Sequence, residues 1–128
     1  MTNNELNRLG GIILDACITV HRELGPGLLE SAYMYALNRE LELRRISVRL
    51  QVPVEMRYKE CLLGKVYVID MLVENEIILE IKAVIAIEPV FMAQLITYLK
   101  LTNKKLGYLI NFNVPLLKDG FRRVVYKF

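Results

Sequence analysis

Asp70, Glu80 and Lys82 stand in two strongly apolar segments, Val66–Val73 and Ile77–Lys82, where charged side chains are costly to bury. Side chains along a strand alternate faces, so Glu80 and Lys82 share one side while Ile77, Leu79 and Ile81 take the other. If Val73 pairs with Ile77 across the turn Glu74-Asn75-Glu76, the antiparallel register places Asp70 opposite Glu80, with Cβ atoms about 5 Å apart. Lys82 then lies diagonal to Asp70. Two carboxylates facing each other in an apolar sheet repel, and each resists leaving water, so a positive charge must sit between them. A divalent cation supplies it. The two carboxylates, the Ile81 backbone carbonyl and waters make an all-oxygen ligand set, which suits Mg²⁺ or Mn²⁺ and not zinc. Such an ion polarises a phosphoryl oxygen and lowers the pKa of bound water, as hydrolysis of a phosphodiester requires. Lys82 would hold or help deprotonate that water, or neutralise charge building on the phosphate. The plainer alternative is a metal-free buried ion pair, but a single lysine leaves one of the two acids uncompensated.

Further candidates lie on either side of these strands. Gln94 and Tyr98, four residues apart, project from one face of the helix expected after Lys82. Their position allows them to reach the acids and orient a phosphate or a water, or else simply to mark the helix boundary. Glu30 and Tyr33 follow Gly27 in the pattern G-x-x-E-x-x-Y. A glutamate in a first helical turn is favoured by the helix dipole whatever else it does, and Tyr33 one turn on would ordinarily be core. His21 is the sole histidine, and Cys17 and Cys61 have no CxxC spacing, so no transition-metal constellation and no supported nucleophilic triad exists. Neither Gly10-Gly11 nor Gly25-Pro26-Gly27 has the spacing of a phosphate-cradling loop.

The elements that must position these residues follow from periodicity. A first helix is expected from Thr2 or Asn3 to about Leu24, burying Leu6, Leu9, Ile13, Ala16, Cys17 and Val20. It ends at Gly25-Pro26-Gly27. A second helix starts at Leu28 or Leu29 and runs to about Arg45. Val48, Leu50, Val52, Val54 and Met56 alternate with polar residues as a strand with one wet face, and Pro53 puts it near an edge. After the two acid-bearing strands, Pro89 suits the first position of a helix to Leu101. Leu106–Phe112 is a strand reached by a helical crossover and therefore parallel to Ile77–Lys82. A turn at Lys118-Asp119-Gly120 leads to a last strand at Arg122–Phe128. The order predicts an α/β fold, a mixed sheet flanked by helices on both faces.

The bulk numbers agree with one globular domain over residues 1–128, enough chain to bury roughly two thirds of its unfolded surface. A net charge of +3 is too mild to announce nucleic-acid binding. The clusters Arg44, Arg45 and Arg49, Lys104 and Lys105, and Arg122, Arg123 and Lys127 would form a phosphate-contacting patch only by converging in space. No secretory leader and no apolar run of ~20 residues is present, so a soluble protein in the reducing cytoplasm, without membrane attachment, is expected.

Gly25-Pro26-Gly27-Leu28-Leu29-Glu30-Ser31-Ala32-Tyr33, then Ile69-Asp70 to Leu79-Glu80-Ile81-Lys82-Ala83, then Gln94 to Tyr98, then Gly107 to Phe112, together resemble the GxxExxY protein family of the PD-(D/E)XK nuclease superfamily. The likeness covers nearly the whole chain. It implies a restriction-endonuclease-like, three-layer core, with Asp70 and Glu80 as metal ligands and Lys82 as catalytic lysine. Gln94 and Tyr98 match the auxiliary helix motif of exonuclease-like branches, and Glu30 the acidic residue those branches carry on the helix before the sheet. Ile69 stands where the superfamily name has proline, a position that supplies no side-chain chemistry. The function expected is Mg²⁺- or Mn²⁺-dependent hydrolysis of nucleic acid, DNA rather than RNA, by a homodimer or a larger complex. The rival is a nuclease-like module that binds nucleic acid or a protein partner without cutting. A carboxylate-pair glycosidase is disfavoured, because acids this close to a lysine do not split their pKa values as that chemistry needs.

Overall fold

A computed structural model describes all 128 residues, Met1–Phe128. Helix α1 (Asn3–Leu24) opens with a reciprocal cap: Glu5 N–H donates to Thr2 Oγ1, and the Thr2 hydroxyl donates to the Glu5 carboxylate, both at 3.1 Å. It closes at Gly25, φ +66°, whose N–H returns to the His21 carbonyl. All six residues of the expected apolar stripe are buried. Helix α2 (Glu30–Leu43) begins just after extended Leu29 and stops short of Arg45, which adopts φ +61°. Arg44 pins the two helices together, bonding Asp15 at 2.6 Å and Thr19 at 3.1 Å on α1 and Glu40 at 3.0 Å on α2. That basic side chain is therefore structural.

Five strands follow: β1 (Val48–Tyr58), β2 (Cys61–Val73), β3 (Ile77–Lys82), β4 (Leu106–Asn111) and β5 (Phe121–Val125), with helix α3 (Pro89–Thr102) joining β3 to β4. They lie in numerical order in one sheet, with β3 and β4 parallel and every other pair antiparallel. The mixed sheet and the parallel crossover are as the periodicity predicted. On one face α1 and α2 close a core of 20 buried side chains, and on the other α3 closes a smaller one of 9. The three layers are helices, sheet, helix.

Three boundaries differ from expectation. β1 and β2 run on into a long hairpin, because Lys59 and Glu60 both adopt positive φ and form a tight turn without the Asn-Gly signal that usually announces one. β4 ends at Asn111, and Phe112 instead donates its N–H to the Lys82 carbonyl. β5 covers Phe121–Val125, not Arg122–Phe128, since Tyr126 N–H turns to Lys105. Arg49 on β1 and Arg122 and Arg123 on β5 stand on opposite edges of the sheet, so the Arg49 cluster does not converge with the one on β5.

Candidate metal centre

The expected register is observed: Val73 pairs with Ile77, Leu72 with Ile78 and Met71 with Leu79. The regular ladder stops there. At the next step Asp70 turns its carboxylate into the gap between β2 and β3, where Oδ2 accepts the Ile81 N–H at 2.9 Å. In a continued ladder a backbone carbonyl of β2 would take that N–H, so the side chain replaces a main-chain partner and the strands fork. β1 departs from regular pairing at the same level: Leu50 pairs with Met71 and Val52 with Ile69, while Gln51 between them adopts φ +54°. Asp70 thus occupies a gap that both neighbouring strands leave open.

Glu80 faces the α3 side, alternating with Leu79 and Ile81, which belong to the opposite core. It is 7% exposed, and its Oε1 is buried without a hydrogen-bond partner. Burial, followed by the adjoining Asp70 charge, pushes its carboxyl up to about 9, with Lys82 pulling weakly the other way. At neutral pH the metal-free pair therefore holds a proton. Tyr98 is raised to about 12, first by burial and then by the negative Glu80 and Asp70. Its hydroxyl is consequently a hydrogen-bond donor near the acids, not a base.

An orphaned carboxylate oxygen, a second carboxylate beside it and a proton held against solution chemistry are what an oxygen-ligated cation would relieve. The donor set fits Mg²⁺ or Mn²⁺. Asp70 and Glu80 would supply side-chain oxygens and Ile81 its carbonyl. No group of three or more His, Cys, Asp or Glu is close enough to hold a metal, so backbone and water oxygens must complete the shell.

The remaining candidates distribute themselves around the fork. Lys82 projects toward α3, its Nζ 4.5 Å from the centre of the Phe91 ring. Glu30 comes from the α2 side and accepts the Ala83 N–H at 3.3 Å; with Gln51, Asp70 and Ile81 it lines a cleft of about 170 Å³. Tyr98 approaches from α3. Gln94, one turn earlier, is exposed and lines a neighbouring groove with Tyr67 and Phe91, making no hydrogen bond to the acids. His21 is a satisfied structural residue, its Nε2 donating to the Val114 carbonyl at 2.8 Å.

The segment from Gly25 to Tyr33 is a clamp. Gly25 and Gly27 take φ +66° and +99°, a region glycine enters without steric cost. Tyr33 donates its hydroxyl to Gly25 O at 2.5 Å, accepts from Leu28 N–H at 3.1 Å and stacks on Phe112 at 4.5 Å. Glu30 is thereby presented to the connection after Lys82. Asn111 holds the same connection: its Oδ1 accepts from Val84 and Asn113 N–H, and its Nδ2 donates to Val84 O.

Sequence reasoning missed Gln51, Tyr67, Phe91 and Asn111. Gln51 reads as one more wet-face residue, and nothing local announces its left-handed backbone. Asn111, in the apolar run Leu106–Phe112, did carry a signal: a polar residue alternating with buried ones needs partners.

No curated protein and no solved structure matches the chain. A family model does. Described as the PD-(D/E)XK nuclease superfamily, it spans residues 7–124, from the first helix through both acid-bearing strands to β5, and the chain belongs to that superfamily.

Proposed function

We propose that the protein is a Mg²⁺- or Mn²⁺-dependent phosphodiesterase acting on nucleic acid, with DNA favoured as substrate. The observation carrying this reading is the buried, unpartnered Glu80 oxygen beside Asp70 at a fork between strands. A bound divalent ion would supply Lewis-acid stabilisation of the phosphoryl oxygens and acidify a water. Asp70, Glu80 and the Ile81 carbonyl would hold it. Lys82, free of any salt bridge, neutralises charge on the phosphate or holds the attacking water as the P–O ester bond breaks. Tyr98 donates a hydrogen bond within the site, Gln94 contacts substrate from the exposed turn of α3, and Glu30 orders the cleft from α2.

Other features support finer assignments. The G-x-x-E-x-x-Y segment and its clamp favour the GxxExxY branch of the superfamily, and the continuous sheet supports residues 1–128 working as one domain. The free cysteines, one buried and one exposed, accord with a reducing cytoplasm, and no helix is long and apolar enough to cross a membrane. A homodimer or larger complex would add the phosphate contacts that a charge of +3 provides sparingly.

The test is cleavage of single- and double-stranded DNA and RNA with Mg²⁺ or Mn²⁺. Asp70→Ala and Lys82→Ala should each lower the rate by at least about a hundredfold. Cutting that persists unchanged in both variants would refute the proposal. The rival module, binding without hydrolysis, draws on the small number of acidic ligands; absence of Mn²⁺ uptake with salt-sensitive nucleic-acid binding retained would favour it.

A further inference from the structure

We propose that the groove between β2 and α3 is a base-stacking subsite that takes an unpaired base of single-stranded nucleic acid. The groove, of about 450 Å³, is lined by Tyr67, Val90, Phe91 and Gln94 among others. Two aromatic rings reach it from different elements. Tyr67 on β2 is held edge-on against Tyr98, ring centres 5.6 Å apart at 61°, and Tyr98 itself lies under the influence of Glu80 and Asp70. Phe91 on α3 carries the Lys82 ammonium over its ring. Tyr98 and Lys82 thus link the acid site to the groove, each against one of its two aromatic rings, and the subsite rests on the phosphodiesterase reading for the placing of its base beside the scissile phosphate.

The lining selects the occupant by chemistry. Flat aromatic surfaces stack on any nucleobase face, and Val90, 64% exposed, extends the apolar floor. Gln94 offers an exposed amide with both donor and acceptor for a base edge. Its place on the outer turn of α3, away from the acids, gives it this role in the groove. Lys82 stands where the phosphate joining such a base to the cleavage site would pass. A duplex hides the faces of its bases in the stack, so the groove accepts a strand end, a loop or a base swung out of a helix.

Binding is separated from cutting by working with Asp70→Asn, which removes one of the two candidate metal-binding carboxylates, in the presence of EDTA, which removes any divalent ion. In that background, the anisotropy of fluorescein-labelled single-stranded DNA, single-stranded RNA and blunt duplex DNA is measured at one fixed salt concentration. Phe91→Ala and Phe91→Leu should each weaken single-strand binding about tenfold and leave duplex binding unchanged, because both remove the flat face while leucine keeps apolar bulk. Tyr67→Phe, which retains the ring, should bind more tightly than Tyr67→Ala. Without any groove substitution, a 2-aminopurine in the single strand should lose fluorescence on binding. Absence of single-strand binding, no quenching, or equal losses for strand and duplex would overturn the subsite. So would concentration-dependent self-association abolished by Phe91→Ala, which would assign the groove to a second copy. If cleavage fails in every metal while quenching persists, the phosphodiesterase reading falls and stacking stands.

Discussion

The two faces of the sheet have been given different tasks. Beneath α1 and α2 the sheet contributes Met71, Val73, Ile77, Leu79, Ile81 and Ile110 to an apolar layer of 20 side chains, and the Tyr33 hydroxyl within it is satisfied twice. Beneath α3 the layer is less than half that size, and the two buried polar side chains of the chain, Glu80 and Asn111, both alternate with residues of the opposite core and so face this side. Asn111 is bonded at both ends of its amide. Glu80 is not. The contrast separates a buried polar group that organises backbone from one whose unmet valence points to a ligand. The larger layer carries most of the apolar burial, and the unpartnered acid lies beneath the smaller one.

The strongest attack on that division is Leu37→Ala, at a fully buried position of α2 that lines neither the acid cleft nor the groove. It should lower unfolding free energy by about 3 kcal/mol in urea titrations, by the same amount with and without Mn²⁺. A loss that depends on the metal would join the two layers energetically and dissolve the contrast.

Glu80→Gln sharpens it from the other side. The folded carboxyl is raised from its ordinary 4.5 to about 9, so between those values the native state keeps a proton that the unfolded chain has released. The contribution of Glu80 to the stability of the metal-free protein is therefore undiminished below pH 4.5 and is lost as pH rises toward 9. Glutamine, which cannot ionise, should remove that slope and stabilise the protein by something on the order of 2 kcal/mol at pH 8, with no gain at pH 4. Urea titrations across pH measure it directly, and parallel curves for the two proteins would show Glu80 to be an ordinary solvated acid.

Tyr33→Phe is the mildest. It keeps the stack on Phe112 and removes the bonds to Gly25 and Leu28, at a cost of about 1 kcal/mol, with faster amide hydrogen exchange confined to the loop Gly25–Leu29. Uniform exchange across α1 and α2 would make the hydroxyl part of the core instead of a loop clamp.

The acids were legible in the sequence for the same reason that they matter: charge in an apolar strand violates the pattern around it, and a period of two then gives its face. Helix ends, the parallel crossover and the Val73–Ile77 register were equally local in origin. What stayed hidden depends on contacts between distant segments. Asp70 was expected to face Glu80 across a regular ladder, whereas it turns into the gap to meet Ile81. Glu30 and Ala83 are 53 positions apart, and no spacing rule joins them. Gln94 was grouped with Tyr98 by helical period, yet one turn of α3 is enough to carry it from the acids to the groove. The Lys59–Glu60 turn escaped notice because ordinary residues adopt the left-handed conformation that Gly or Asn would advertise.

Calorimetric titration of the metal-free protein with Mn²⁺ at pH 7, repeated in buffers of different ionisation enthalpy, tests the shared-cation site most directly. One ion should bind per chain, releasing about one proton as Glu80 gives up the hydrogen that burial holds on it, and Asp70→Ala should abolish the binding. Mn²⁺ uptake that releases no proton and survives both Asp70→Ala and Glu80→Gln would contradict the account.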